Sequence, residues 1–239
     1  MSATLEQRTV LVIGRGSGIA RAIVLAVRKT GAKVIVAGRD ATALATAYQD
    51  PGITAESVDL TDEASVEALA VRLDGVVDHV VSTASARARG TVADLDHETM
   101  LRSFDTKVLG PILLAKHFAP RMPKEGSFVL FSGATARKPT VGMLAVAATN
   151  GAVDVVTRAL AVELAPIRVN AISPGTIDTG AYDALGEEKK AALFDHRAHN
   201  NPAGRIGTPE DIADAVLFAL TNTFLTGASL PIDGGEPLV

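Results

Sequence analysis

The amino-acid sequence predicts an α/β protein, a doubly wound parallel sheet of about seven strands with helices on both faces. Short runs of Val, Ile and Leu alternate with longer amphipathic segments from end to end, the rhythm of repeated strand–helix–strand units. The strand-like runs lack polar alternation, so both of their faces must be buried, as a parallel sheet requires. A glycine-rich stretch separates the first apolar run from the first helical segment.

Val10-Leu11-Val12-Ile13 reads as the first strand and residues 18–29 as the helix after it, closed by Gly31. Residues 33–37 read as the second strand, 41–49 as a helix and 53–58 as the third strand. Residues 62–73 form a helix entered through Thr61, an N-cap type residue. The fourth strand is 76–81. A long helical stretch, 96–122, is interrupted by Gly110-Pro111, which should kink or split it. Residues 127–131 are the fifth strand. The segment 144–164 is the longest helix, apolar around its circumference as at an interface. Residues 167–172 are the sixth strand, 175–207 the least regular region, 211–220 the last helix and 228–232 the last strand.

Composition narrows the function classes. At 239 residues the chain suits one large α/β domain, 1–239, better than two small ones. A hydrophobic content of 47% excludes intrinsic disorder. Aromatics are only 4%, so Ala, Val, Leu and Ile must build the core. The net charge of −4 argues against a sequence-independent nucleic-acid binder. There is no cysteine, which removes disulfides, thiolate nucleophiles and Cys-ligated metals together. The first residues contain no apolar signal-peptide core, and no uninterrupted apolar run is of membrane-spanning length. A cytoplasmic protein with no membrane or nucleic-acid partner is expected.

Directly after the first strand comes Gly14-Arg15-Gly16-Ser17-Gly18-Ile19-Ala20. A dinucleotide pyrophosphate needs backbone close to its oxygens and amide donors at a helix N-terminus, and glycines permit that approach. The second strand ends in Gly38-Arg39-Asp40, without the strand-end carboxylate that binds the ribose 2′-hydroxyl of NAD. Arg39 and Arg15 suit a 2′-phosphate, so NADP(H) is expected over NAD(H), with Asp40 leaving room for NAD. Asp59 is placed to hydrogen-bond an adenine.

With these residues the chain resembles the short-chain dehydrogenase/reductase family, a single-domain Rossmann fold, over nearly its whole length. The glycine turn is similar to that family's Thr-Gly-x-x-x-Gly-Ile-Gly, with Ile13 for the Thr and Ala20 for the last Gly. Val58-Asp59-Leu60-Thr61-Asp62 resembles its adenine-contact segment. The run 168–179, Arg-Val-Asn-Ala-Ile-Ser-Pro-Gly-Thr-Ile-Asp-Thr, resembles its sixth strand and nicotinamide-side loop, and the segments 225–228 and 233–235 its C-terminal pattern. The resemblance implies cofactor contacts from Leu60, Ala84, Pro174, Gly175, Ile177 and Thr179, a substrate-side lid over 175–207, and a homotetramer.

It also implies a Tyr-x-x-x-Lys pair on the long helix, a Ser after the fifth strand and an Asn in the preceding helix. Here Val146 stands at the Tyr, Asn150 at the Lys, Gly133 at the Ser with Ser132 one position early, and Lys107 at the Asn. The family's Asn-Asn-Ala-Gly is Ser82-Thr83-Ala84-Ser85. Neither tyrosine, Tyr48 or Tyr182, has a lysine four residues on. Losing a general acid costs roughly 10²- to 10⁴-fold in rate.

Lys107 is the foremost substitute: burial in the space left by Val146 and Gly133 would lower its pKa into a catalytic range. Ser132 offers a substrate hydrogen bond. Tyr182 reads as an exposed lid tyrosine, with an inward reach to the site as the alternative. His196 and His199 have a spacing suited to one helix face but no third ligand nearby, so no metal is expected. Asn150, Asp154 and Arg158 form a polar stripe, at a subunit contact or partly filling the old Lys site. Three functions follow: an NADP(H)-binding, cofactor-sensing or partner-binding protein or non-catalytic subunit; an NADPH-dependent carbonyl or imine reductase with its proton from Lys107 or water; or a nucleotide-free scaffold in which the glycine turn is a relic. The apolar 144–164 helix predicts a homo-oligomer.

Overall fold

Thr9–Ile13 (β1) is buried along its whole length, and its side chains divide by parity. Val10 and Val12 enter one core with Ile23, Val27, Val34, Val36 and Ile212. Leu11 and Ile13 enter another with Ile35, Val80, Leu114, Phe118 and Phe128. A strand turns alternate residues to opposite faces, so one apolar run supplies two cores, and only a sheet covered on both sides uses it fully. The computed structural model describes residues 4–180 and 182–239.

Seven parallel strands follow in the order β3-β2-β1-β4-β5-β6-β7. The remaining strands are Lys33–Gly38 (β2), Ile53–Ser57 (β3), His79–Ser82 (β4), Ser127–Phe131 (β5), Arg168–Pro174 (β6) and Ser229–Ile232 (β7). Order reverses between β1 and β4, which opens a crevice beyond their C-terminal ends, where ligands of doubly wound sheets bind. Gly18–Lys29 (α1) packs on the first core beside Pro209–Thr221 (α8). Ala41–Ala47 (α2) links β2 to β3. On the other face lie Glu63–Arg72 (α3), His97–Phe104 (α4), Gly110–Phe118 (α5) and Leu144–Glu163 (α6).

α6 is long and apolar enough to cross a membrane by length and composition, but here its Ala145, Val146, Asn150, Val153 and Ala161 are buried within the fold. Its expected polar stripe divides. Asn150 is buried, Asp154 accepts a hydrogen bond from Ser229 Oγ at 2.7 Å, and Arg158 is exposed.

Several boundaries differ from the sequence expectation, each for a local reason. β4 begins at His79 rather than 76, because Asp78 turns its carboxylate to the Thr9 N–H and to Arg8, both at 2.8 Å. α3 is capped by Asp62, which accepts from the Ala64 N–H at 3.0 Å, whereas Thr61 spends its own donors on Asp59. The break at Gly110-Pro111 falls one turn earlier, as a π-helical turn over Asp105–Leu109 closed by the Gly110 N–H on the Asp105 carbonyl. Pro111 has no N–H to offer the Lys107 carbonyl and its ring crowds it, so the chain takes up an extra residue there. The region 175–207 is more regular than expected, since Glu187–His199 forms a helix (α7). α8 starts at Pro209 behind a reciprocal Thr208–Asp211 capping box.

Below the sheet, His79 is buried 2.9 Å from Ser127 Oγ, and desolvation holds its pKa down to about 4 against 6.5 for a free imidazole. The neutral ring therefore stabilises the fold fully above pH 6.5, and that stability is lost as pH falls from 6.5 towards 4. Urea unfolding at stepped pH should lose up to about 1.4 kcal/mol per unit across this window through His79. A His79→Gln variant should flatten that part of the profile, and an unchanged slope would remove His79 as its source.

Candidate active site

The crevice begins at the glycine turn. The Gly14 N–H donates to the Ala37 carbonyl at 3.0 Å, holding the turn against β2. A Cβ on Gly14 would collide with Thr83 Oγ1 and Ala20, so β1 and the loop after β4 close together only because residue 14 has no side chain. Gly18 takes φ +55° and lies against Thr179, bringing the 174–179 loop to the same mouth. α1 starts behind Ser17 with no side-chain cap and no acidic residue in its first turn. Its N-terminal amides and dipole point to an anion.

Asp40 caps α2, its Oδ1 accepting the Ala43 N–H at 2.9 Å. Arg15 and Arg39 are exposed. Asp59 accepts the Thr61 N–H and hydroxyl at 2.9 and 2.7 Å, which with the Arg39 and Arg102 charges holds its carboxyl below the usual range. Leu60 buries its side chain against Gly110, and Ile177 buries its own in the first core, so both can offer a ligand only backbone. Gly175 packs against Asp233, where a Cβ would not fit. The uncapped helix N-terminus behind a glycine turn fits the pyrophosphate of a dinucleotide.

At the C-terminal ends of β4 and β5 the second half of the site assembles. Ser132 is buried, and its Oγ donates to the Asn150 carbonyl at 3.0 Å. The expected substrate-binding hydroxyl is therefore a tether between β5 and α6. A Cβ on Gly133 would meet the Asn150 carboxamide nitrogen at 2.7 Å, so a side chain at 133 requires that carboxamide to move. Asn150 Nδ2 donates to Thr135 Oγ1 at 2.7 Å, and its Oδ1 is buried without a partner. Val146 is buried beside it and carries no exchangeable proton.

Lys107, on the π turn, reaches the same place. It is 8% exposed, and its Nζ donates to the Ser132 carbonyl at 3.3 Å. Among the described residues no carboxylate pairs with it. Burial, helped by the Arg87 charge and opposed by Asp154, holds its pKa down to about 7. At neutral pH such an amine both holds and releases a proton.

The lid contributes Tyr182, half-buried, edge-on to Phe194 at 5.4 Å and under the Arg197 guanidinium at 5.9 Å. It is less exposed than a free lid tyrosine and lies within electrostatic reach of Arg87, across the cleft on the loop after β4. His196 and His199 are exposed on α7, and no three metal-ligating side chains come together among the described residues.

A family model described as Enoyl-(Acyl carrier protein) reductase matches residues 13–236. L-xylulose reductase of Mus musculus is 31% identical over 98% of this chain and 98% of its own. The chain belongs to the short-chain dehydrogenase/reductase family. A solved small-chain dehydrogenase in complex with NADPH is similar with TM-score 0.82 and 32% identity, over 98% of this chain and all of the other. MalC Reductase/Diels-Alderase of Malbranchea aurantiaca is similar with TM-score 0.90 and 30% identity, over 99% and 98%. In this member of the family the glycine turn adjoins Thr83 and Thr179, and Lys107 reaches the carbonyl beside Gly133. Sequence reasoning gave no role to Arg87, which comes within electrostatic reach of Lys107.

Proposed function

We propose that this protein is an NADPH-dependent oxidoreductase that reduces a small carbonyl or imine, with Lys107 in place of the family's tyrosine as proton donor. The observation that carries it is a buried ammonium without a carboxylate partner, its pKa held to about 7, at the family's substrate end. The family's reductases and dehydrogenases, and the NADPH complex of a near structural relative, favour turnover over a cofactor-sensing or non-catalytic role. When bound, the reduced nicotinamide supplies hydride.

The chain's own residues do the rest. The glycine turn (Gly14, Gly16, Ser17, Gly18, Ile19) holds the pyrophosphate, and Arg15 and Arg39 grip the 2′-phosphate. Asp59 and Leu60 border the adenine, while Ala84, Pro174, Gly175, Ile177 and Thr179 border the nicotinamide half. The 175–207 segment covers the substrate. Val146, Gly133 and the tethered Ser132 keep the cavity free of competing donors, and Lys107 gives its proton to the oxygen or nitrogen that becomes negative. An iminium, already charged, needs less of that help. The alternative, proton delivery by water, is the reading that survives if Lys107 proves dispensable.

The exposed apolar side chains of Leu101, Phe104, Leu109, Val155 and Val162, on α4, the π turn and α6, support self-association in the cytoplasm through this face.

Fluorescence titration should give tighter binding of NADPH than of NADH. Arg39→Ala should weaken NADPH about tenfold or more while leaving NADH unchanged, as loss of a charge-assisted phosphate contact does; equal loss for both would sink the NADP reading. Across a panel of aldehydes, ketones and imines, Lys107→Ala should lower kcat/KM about 10²-fold or more. In the parent protein kcat/KM should fall as pH rises through about 7, because the acid must be protonated. Full activity in the variant would transfer the proton step to water, and absence of NADPH turnover on every substrate would restore the non-catalytic reading. Sedimentation should show a dimer or tetramer at micromolar protein, and Val162→Glu should shift it towards monomer.

A further inference from the structure

The loop after β4 carries Arg87 and Arg89 to the mouth of the crevice, and it is held there. Ala88 between them is buried, and the Gly90 N–H donates to the Gly142 carbonyl at 3.0 Å, tying the loop to the approach of α6. The exposed guanidinium of Arg87 lies within electrostatic reach of four groups from different parts of the fold. These are Arg15 in the glycine turn, Arg89 on its own loop, Tyr182 in the lid and the buried Lys107.

The acids of the mouth are committed elsewhere. Lys190 holds Asp178 at 3.0 Å and Asp183 at 2.7 Å, and Arg137 holds Asp233 at 2.7 Å. Glu236 accepts the Thr176 N–H at 2.8 Å, and Asp154 takes the Ser229 hydroxyl. Among the described residues no carboxylate forms an ion pair with Arg15, Arg87 or Arg89. Like charges gather at one opening without a paired carboxylate, an arrangement that a bound anion relieves.

Part of that anion is the cofactor's, and Arg15 in the glycine turn meets it. Arg87 also comes within electrostatic reach of Lys107 and Tyr182, on the substrate side. We propose that Arg87 binds a carboxylate of the substrate, so that the protein acts on oxo or imino acids in preference to neutral compounds of the same shape. This rests on the reductase reading of the site and specifies its substrate class. A planar guanidinium meets the two oxygens of a carboxylate with two parallel hydrogen bonds, which fixes orientation as well as affinity. The pairing also cancels the nearest positive charge acting on Lys107, leaving Asp154 to favour its ammonium. A correct substrate would thus load the proton that it then receives.

The test uses the full chain, with and without NADP+, and two probes of one shape, benzoate and benzamide, titrated by calorimetry. Benzoate should bind at least tenfold more tightly, and Arg87→Gln should abolish the difference while leaving the NADPH affinity within twofold. In turnover with NADPH, 4-carboxybenzaldehyde should exceed methyl 4-formylbenzoate in kcat/KM by a similar factor, again only with Arg87 present. Equal binding of the two probes to the parent protein would overturn the proposal. So would an Arg87→Gln variant that weakens NADPH and keeps the benzoate preference, since Arg87 would then serve the cofactor. Benzoate selectivity that depends on Arg87 without turnover of either aldehyde would support the anion site and count against the reductase reading alone.

Discussion

A lysine ammonium enclosed by protein, with only a main-chain carbonyl to hold it, is the constraint around which the rest of this site is built. Placing a charge in a weakly polar interior is costly unless it is paired, and the usual answer is to neutralise it. Lys107 lies near that boundary. Its environment is set by pieces far apart in the chain: the π turn that aims it inward, the Ser132 carbonyl that receives it, and the Arg87 and Asp154 charges that pull its proton in opposite directions.

The π turn shows how a packing requirement becomes a chemical one. Pro111 denies the Lys107 carbonyl its helical partner, and the slack of one extra residue rotates the turn so that Lys107 and Val108 are buried. On the opposite wall, Gly133 and Asn150 share one volume: the carboxamide occupies what a side chain at 133 would need. The Ser132 hydroxyl then closes the joint between β5 and α6. Such interlocking couples positions 132, 133 and 150 to one another. A Gly133→Ser change would require the Asn150 carboxamide to move.

A glycine that must let two backbones meet was legible from the residues themselves, and Gly14 has that place in the structure, where a Cβ would meet Thr83 and Ala20. Asp40, left open as a ribose partner by the sequence, caps α2. The errors came where two residues compete for a single job. Thr61 and Asp62 both cap well, and only the turn geometry at Asp59 decided that Asp62 does so. The lid helix Glu187–His199 buries nothing fully, so it lacked the apolar face by which helices are read.

From the sequence alone followed the doubly wound sheet, the glycine turn at its first crossing and the absence of any Tyr-x-x-x-Lys, because periodicity, backbone freedom and residue identity are properties of neighbours in the chain. Tertiary structure alone decided that Ser132 is a tether, that Asn150 turns into the core rather than a subunit face, that Lys107 is buried, and that Arg87 comes within electrostatic reach of it. Hydration and charge balance depend on which distant segments the fold brings together, and no local pattern records them.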